Sequence, residues 1–307
     1  VANETTFTGQ GDNLRAAEVL NTLLWSNLVD MTDLRSVCLR LGDVGGSGSD
    51  TLTTTQISFD DPMTAASVDE TTATDNTAIG DTALSLSIAQ QIISYSMSDK
   101  LMITGNASTL DLNRLAQAAA DAYVLRFTDQ VCGVIDDFTS TVGTTGADLT
   151  VDDLYDAIFT LEQAVVPTPL ACVLHTVQYT DLQSSLRSEG GAIQFLASTQ
   201  DQIQAKGPGF KGSLLGVDIW ASDSVVTANA GADSAGGMFG IGGVAYAEAS
   251  ARMSMPGSIA AAVPAGSPVY AEFARTADPG LSRVVAHAFN AVSIGEDARG
   301  VSIITDR

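Results

Sequence analysis

From Leu112 to Phe138 the apolar side chains keep to one helical stripe: Leu112, Leu115, Ala116, Ala119, Ala120, Tyr123, Val124, Phe127, Val131, Val134, Ile135 and Phe138. Spacings of three and four residues predict a single helix, and about 30 residues at 1.5 Å each make a rod of roughly 45 Å. Ser108, with Asp111 three residues on, suits its N-cap. Alanines early in the stripe allow a partner to approach closely, and the aromatic residues further along fill space. The opposite face carries Asp111/Arg114 and Arg126/Asp129 at i, i+3, pairs worth a few tenths of a kcal/mol each. A helix of this length is a beam, and the rest of the chain must be arranged along it.

The segment in front of the beam has the opposite character. Residues 50–97 are rich in Thr, Ser, Ala and Asp, with seven acidic residues and no Lys, Arg or His. Leu52–Phe59 and Ala83–Met97 alternate like strands around a polar tip, which predicts a long β-hairpin arm with little core of its own. A lone pair of strands is marginal in water, so the arm needs outside support, such as a neighbouring subunit.

The remaining segments mix helices and strands. The first ten residues are polar, and Asp12 or Asn13 can cap a helix bearing Ala17, Leu20, Leu24, Leu28 and Met31. Leu34–Leu41 is apolar and runs into the flexible junction GDVGGSGSD. After the beam, Thr150-x-x-Asp153 caps a helix over Val151–Ala164, which Pro167 and Pro169 end. A strand at Leu170–Leu174, a helix at Thr176–Arg187 and a turn at Gly207–Gly212 precede a strand at Leu214–Trp220. The glycine-rich Gly231–Gly243 leads to a strand at Val244–Ala251, and Ile259–Val263, Val269–Phe273, Arg283–Val292 and Val301–Ile304 read as further strands. The expected class is α+β, without internal repeats.

Charge and cysteine usage exclude several roles. Thirty-six acidic residues against 14 basic ones give a formal charge of −22. That surface repels phosphates, which argues against a nucleic-acid-binding role, because such affinity comes mostly from Lys and Arg neutralising phosphates. Cys38, Cys132 and Cys172 are odd in number and far apart, unlike a disulfide framework or a zinc ribbon. No apolar run is long enough to span a bilayer, and VANETTFTGQGDN lacks the layout of a signal peptide. A soluble protein made in a cytoplasm is expected.

Motifs of chemistry are few. "PLACVLHTVQYTDL" (Pro169–Leu182) brings Cys172 within three residues of His175, the spacing of a candidate nucleophile and base or half a metal site. On a strand, residues three apart point to opposite faces, which favours a core cysteine and a strand-end histidine. "GPGFKG" (Gly207–Gly212) matches G-x-G-x-x-G, but a dinucleotide loop needs a strand before it and a helix after it. "GIGGVA" (Gly240–Ala245) is a near-match with the same fault. The acid pairs Asp60-Asp61, Asp136-Asp137 and Asp152-Asp153 read as solvated faces or helix caps before they read as cation sites. No catalytic residue, metal ligand or cofactor is expected, and the chain is not expected to be an enzyme.

The order of parts resembles the major capsid proteins of tailed bacteriophages, whose fold is shared with the herpesvirus capsid floor and bacterial encapsulins. The pieces that carry the resemblance are "LTVDDLYDAIFTLEQA" (Leu149–Ala164), "PLACVLHTVQYTDLQSSL" (Pro169–Leu186), "GSLLGVDIWASDSV" (Gly212–Val225), "GGMFGIGGVAYAEA" (Gly236–Ala249) and "HAFNAVSIGEDARGVSIITD" (His287–Asp306). The resemblance implies an N-terminal arm (1–49), an extended hairpin loop (50–97), a peripheral domain with the spine helix (98–145 and 256–307) and an α/β axial domain (146–255). It implies a subunit that self-assembles as hexamers and pentamers into an icosahedral head enclosing double-stranded DNA. The partners implied are copies of itself, a separate scaffolding protein, a portal and decoration proteins, with no membrane. The location implied is the virion, assembled in the host cytoplasm. An encapsulin-like compartment is the alternative.

Some relatives weld their subunits through a lysine in the extended loop. Residues 50–97 contain none, and Lys100, Lys206 and Lys211 are the chain's only lysines, so a non-covalent shell is expected. Val1 leads straight into the N-arm, so scaffolding is expected to be a separate protein or to have been cleaved away. Arg114 and Arg126 on the beam are candidate inter-subunit partners for Asp60, Asp61, Asp69 and Glu70 of the acidic loop.

Overall fold

The structure, a computed structural model, describes residues 22–24, 34–45, 47–59, 79–98, 109–188, 195–207, 209–250, 268–276 and 280–307. Along the chain these form β1 (Leu39–Asp43), β2 (Thr51–Phe59), β3 (Ile79–Ser87), β4 (Ala89–Ser98), α1 (Thr109–Val134), β5 (Thr141–Val142), α2 (Val151–Gln163), β6 (Leu170–Leu174) and α3 (Thr176–Ser188). There follow β7 (Phe195–Ala197), α4 (Gln200–Lys206), β8 (Phe210–Leu214), β9 (Val217–Ala221), β10 (Thr227–Ala228), β11 (Asp233–Gly240), β12 (Val244–Glu248), β13 (Val269–Thr276), β14 (Leu281–Ile294) and β15 (Gly300–Asp306).

Helix α1 is the expected beam, shortened at its end. Ile135–Asp137 tighten into a 3₁₀ turn, and Phe138 is already extended. Ala116, Ala119, Ala120 and Tyr123 pack against Val269 and Ala271 of β13 and Val284, Ala286 and Ala288 of β14. Small side chains on both surfaces let the helix lie close to the sheet. Long β14 is the hub of a five-stranded sheet, pairing with β4, β12 and β13, while β1 adds in parallel to β12.

An eight-stranded sheet runs in the order β5-β15-β11-β6-β9-β8-β7, with β10 beside β11. Its two faces are both covered. Leu170, Cys172 and Leu174 of β6 join Leu154, Leu161 and Leu182 of α2 and α3 on one side. Ala171 and Val173 join Phe127, Val131, Ile135, Phe239 and Trp220 on the other, where α1 ends. Burial on both faces explains why β6 and β11 read as unbroken buried runs rather than alternating ones.

Four expectations need correction. The second strand of the arm is two strands: β3 pairs with β2, and after Ile88 the chain enters β4, which belongs to the β14 sheet. Gly231–Gly243 contains the central strand β11; Gly236 and Gly237 are glycines because a Cβ at 236 would lie 2.7 Å from Gln178 Oε1, and one at 237 would lie 3.1 Å from Ile135 Cβ. Leu214–Trp220 is a hairpin, β8 to β9, turned by Leu215 and Gly216 at φ 56 and 82. Finally, β15 pairs with β11 and β5 rather than joining the sheet beside the beam, and β12 pairs with β14. The proposed Ser108 cap, the strand at Ile259–Val263 and most of the proposed N-terminal helix lie outside the described residues.

Candidate functional site

Cys172 and His175 do not form a pair. Cys172 is fully buried in the core under α2 and α3, and that burial pushes its thiol well above the ordinary range. His175 is directed elsewhere: Nδ1 accepts the Val177 N–H at 3.2 Å, and Nε2 lies 3.4 Å from Asp223 Oδ1. The same oxygen accepts the Thr176 hydroxyl at 2.6 Å. Burial holds the His175 pKa below its usual value, the Asp223 carboxylate opposes this, and Arg307 adds to it. A protonated thiol and an imidazole committed to other partners make neither nucleophile nor base. The histidine instead pins the start of α3 to the loop after β9.

The other motifs resolve in the same direction. In GPGFKG, helix α4 comes before the glycines and strand β8 after them, the reverse of a dinucleotide loop. Gly207 sits at the end of α4 with φ 91. GIGGVA is the turn between β11 and β12. Asp153 completes a capping box at α2, accepting the Thr150 N–H at 2.9 Å, while its own N–H reaches Thr150 Oγ1 at 3.3 Å. Asp136 lies in the 3₁₀ turn, its pKa raised by burial and then by Asp137. Among the described residues no three His, Cys, Asp or Glu side chains gather as a metal cage, and no helix is long and apolar enough to cross a membrane.

Buried polar side chains tie the body's elements together, Gln178 and Glu248 among them, and no local motif marks Gln178. Gln178 is fully buried; its Oε1 accepts the His175 N–H at 3.0 Å, and its Nε2 donates to Ser234 O, Ile303 O and Thr305 Oγ1 at 2.9–3.1 Å. One side chain thus ties α3 to β11 and β15. Glu248 of β12, with its side chain 8% exposed, faces Arg35 at 3.5 Å and Arg40 at 3.4 Å. The Arg35 guanidinium also lies over the rings of Tyr123 and Phe127 of α1. Strand alternation carries a signal for Glu248: it shares a face with Val244 and Tyr246, which point into the core.

Two kinds of surface stand out among the described residues. The β2–β3 arm forms a sheet of its own, linked across by polar pairs such as Thr51–Ser87 and Thr53–Ser85, each 3.2 Å between hydroxyls. Its base is sealed to the body, where Leu86 is buried with Ala247 and Ala291 and is flanked by Leu52, Leu84 and Ile88. The second kind is a set of large apolar side chains in water, among them Leu125 on α1 and Tyr155 and Phe159 on α2. Of the six residues proposed from sequence for subunit contacts, Arg126 is exposed on α1 and Arg114 lies near the start of the same helix. Asp60, Asp61, Asp69 and Glu70 lie outside the described residues.

No protein-family model matches the chain, and no curated protein does. Solved structures do. The capsid of Ralstonia phage GP4 superposes with a TM-score of 0.63 at 13% identity, over 90% of this chain and 91% of that one. The SrpI encapsulin of Synechococcus elongatus PCC 7942 gives 0.62 at 12% identity, over 89% and 86%. A structure from Mycobacterium phage Che8 gives 0.53 at 18% identity, over 84% and 85%. Across nearly its whole length, then, the chain has the fold of phage capsid and encapsulin subunits.

Proposed function

We propose that the chain is the major shell subunit of a tailed-phage head, assembling as hexamers and pentamers into an icosahedral wall around double-stranded DNA. The observation that carries this is the β2–β3 arm: two strands that pair only with each other, anchored at one end to a body of the shared shell fold. Such an arm is marginal by itself and gains support when laid across a neighbouring copy. The four regions take the roles of N-terminal arm (1–49), extended loop (50–97), peripheral region on the beam (98–145 and 256–307) and axial region (146–255), with β12 and β15 crossing between the sheets. In the assembled wall, Arg114 and Arg126 meet the acidic loop residues Asp60, Asp61, Asp69 and Glu70 of a neighbour. A charge of −22 per subunit keeps packed DNA from adhering to the wall. The shell is non-covalent, assembles in the host cytoplasm with scaffolding, portal and decoration proteins, and ends in the virion.

An encapsulin-like compartment is the second reading, favoured by the Synechococcus match. Electron microscopy of the purified chain, with and without a scaffolding protein, tests both: closed particles are expected, and a stable monomer that never forms them overturns both. Particles from the native source separate the two readings, because nuclease-protected DNA marks a phage head and an enzyme cargo marks a compartment. On a denaturing gel the mature shell should run as monomer; a ladder of multimers refutes the non-covalent wall.

A further inference from the structure

An open strand edge carries a row of unused backbone donors and acceptors, and soluble subunits blunt such edges by charging them or keeping them short. Most edges of the two body sheets follow this rule. β5 and β10 have two residues each and β7 has three, β1 carries Arg40 and Asp43, and β13 carries Glu272 and Arg275. β4 does not follow it. Its sequence AQQIISYSMS runs for ten residues without a charge or a proline, and it pairs with β14 from end to end in unbroken register. Among the described residues no strand lies on its other side.

The backbone directions identify the groups that are open. Phe289 O accepts the Ala249 N–H at 3.2 Å, so Phe289 turns its polar groups toward the β12 side of β14, and Ala288 and Asn290 turn theirs toward β4. Their partners on β4 are Gln91 and Ala89. Alternation then commits the odd-numbered residues of β4 to β14 and leaves Gln90, Ile92, Ser94, Ser96 and Ser98 offering N–H and C=O outward. The side chains of Gln90, Ile92, Ser94 and Ser96 are exposed, Ile92 by 57%. At the head of this edge, a cavity of about 520 Å³ lined by Ser49, Asp50, Ile88, Gln90 and Phe289 leaves room beside the strand.

We infer that β4 of one copy pairs with β4 of a second copy about a two-fold axis, joining two five-stranded sheets into one. Hydrogen bonding sets the class of occupant: a row of alternating N–H and C=O groups is taken up by another strand. Charge selects the strand. A copy with a formal charge of −22 is repelled by its like over most surfaces, and β4 against β4 sets no carboxylate opposite another. Asp99 and Lys100, which follow β4, cancel in charge, whereas the uncharged β2 of the arm is flanked by Asp50, Asp60 and Asp61. Antiparallel pairing about a two-fold axis also closes, because each edge consumes the other and none remains to recruit a third copy. This contact rests on the shell function proposed above and names a strand that joins subunits across a two-fold axis of the wall.

The test places Ile92→Cys, Ser94→Cys or Ser96→Cys, one at a time, on a Cys38→Ser background, since Cys132 and Cys172 are buried. Facing residues of a hydrogen-bonded antiparallel pair lie about 5.5 Å apart at Cα, within reach of a disulfide. Assembled particles are oxidised with copper phenanthroline and run on a denaturing gel. One of the three sites should give a strong dimer and nothing larger. Intact particles without a dimer at any site overturn the pairing and leave the shell function standing; failure of the native chain to form particles removes both. A dimer that appears only when Thr53→Cys is added means that a neighbour's arm takes the edge, which also overturns the pairing. Ile92→Lys is an independent arm: it sets like charges across the joint and should lower particle yield roughly tenfold, with the urea midpoint of the subunit unchanged. An unchanged yield refutes the contact.

Discussion

Strand β11 is buried at all eight of its positions, whereas β2, with nine residues, is exposed or half-buried at each of Thr51–Thr55. The first sits between two cores and is ordered by what covers it. The second, over Thr51–Thr55, has its hairpin partner and the seal around Leu86. The difference teaches that two kinds of strand coexist in this chain: body strands ordered by burial on both faces, and arm strands ordered mainly by pairing with each other.

That division is open to attack at several strengths. The hardest blow to the body is Gly236→Val in β11, where a Cβ already meets Val173 O at 2.9 Å; a loss of about 3 kcal/mol is expected in urea unfolding. Gln178→Leu should cost about 2–3 kcal/mol, because it strands the His175 N–H and the carbonyls of Ser234 and Ile303 in the core. Leu86→Ala should remove about 2 kcal/mol, but from the arm's seal alone. Limited proteolysis should then clip residues 50–87 faster while the unfolding midpoint of the body stays put; a shifted midpoint would mean that arm and body fold as one unit.

A milder effect comes from pH. Burial keeps the folded His175 pKa below 6.5, so the unfolded chain takes up a proton that the folded chain refuses. The stability tied to this ring is full above pH 6.5 and declines as the pH falls from 6.5 through the lowered value. Urea midpoints measured from neutral pH down to about 5 should fall, and His175→Gln should flatten part of that slope. Smallest of all is Thr53→Ala on the arm, worth about 0.5 kcal/mol or less because it loses only a hydroxyl pair in water. A larger cost would show that the arm is ordered from within.

What the amino-acid order revealed follows the same divide between local and distant causes. The Thr150–Asp153 capping box, the α1 stripe and the opposed faces of β6 depend on neighbours three or four positions away, and all three are present. Strand β11 leaves no local mark because its glycines are demanded by Gln178 and Ile135, distant in sequence, and glycine alone signals a loop. The β8–β9 turn is hidden because leucine, here at φ 56, is not a usual turn residue. The exchange of β12 and β15 between sheets rests on pairings across long stretches of chain, for which a local pattern carries no mark. For the surface, apolar spacing located α2, but exposure of Tyr155 and Phe159 depended on which face the sheet would take.

The buried thiols have one more consequence. Cys132 is pushed up to about 12, by burial first and by the Asp129 carboxylate next, and Cys172 stands higher still. At neutral pH both side chains stay thiols, and the thiolate, the form that reacts with oxidants and attacks disulfides, is suppressed. Both sulfurs are therefore held as thiols by the fold itself, closed to the redox chemistry that an exposed cysteine invites.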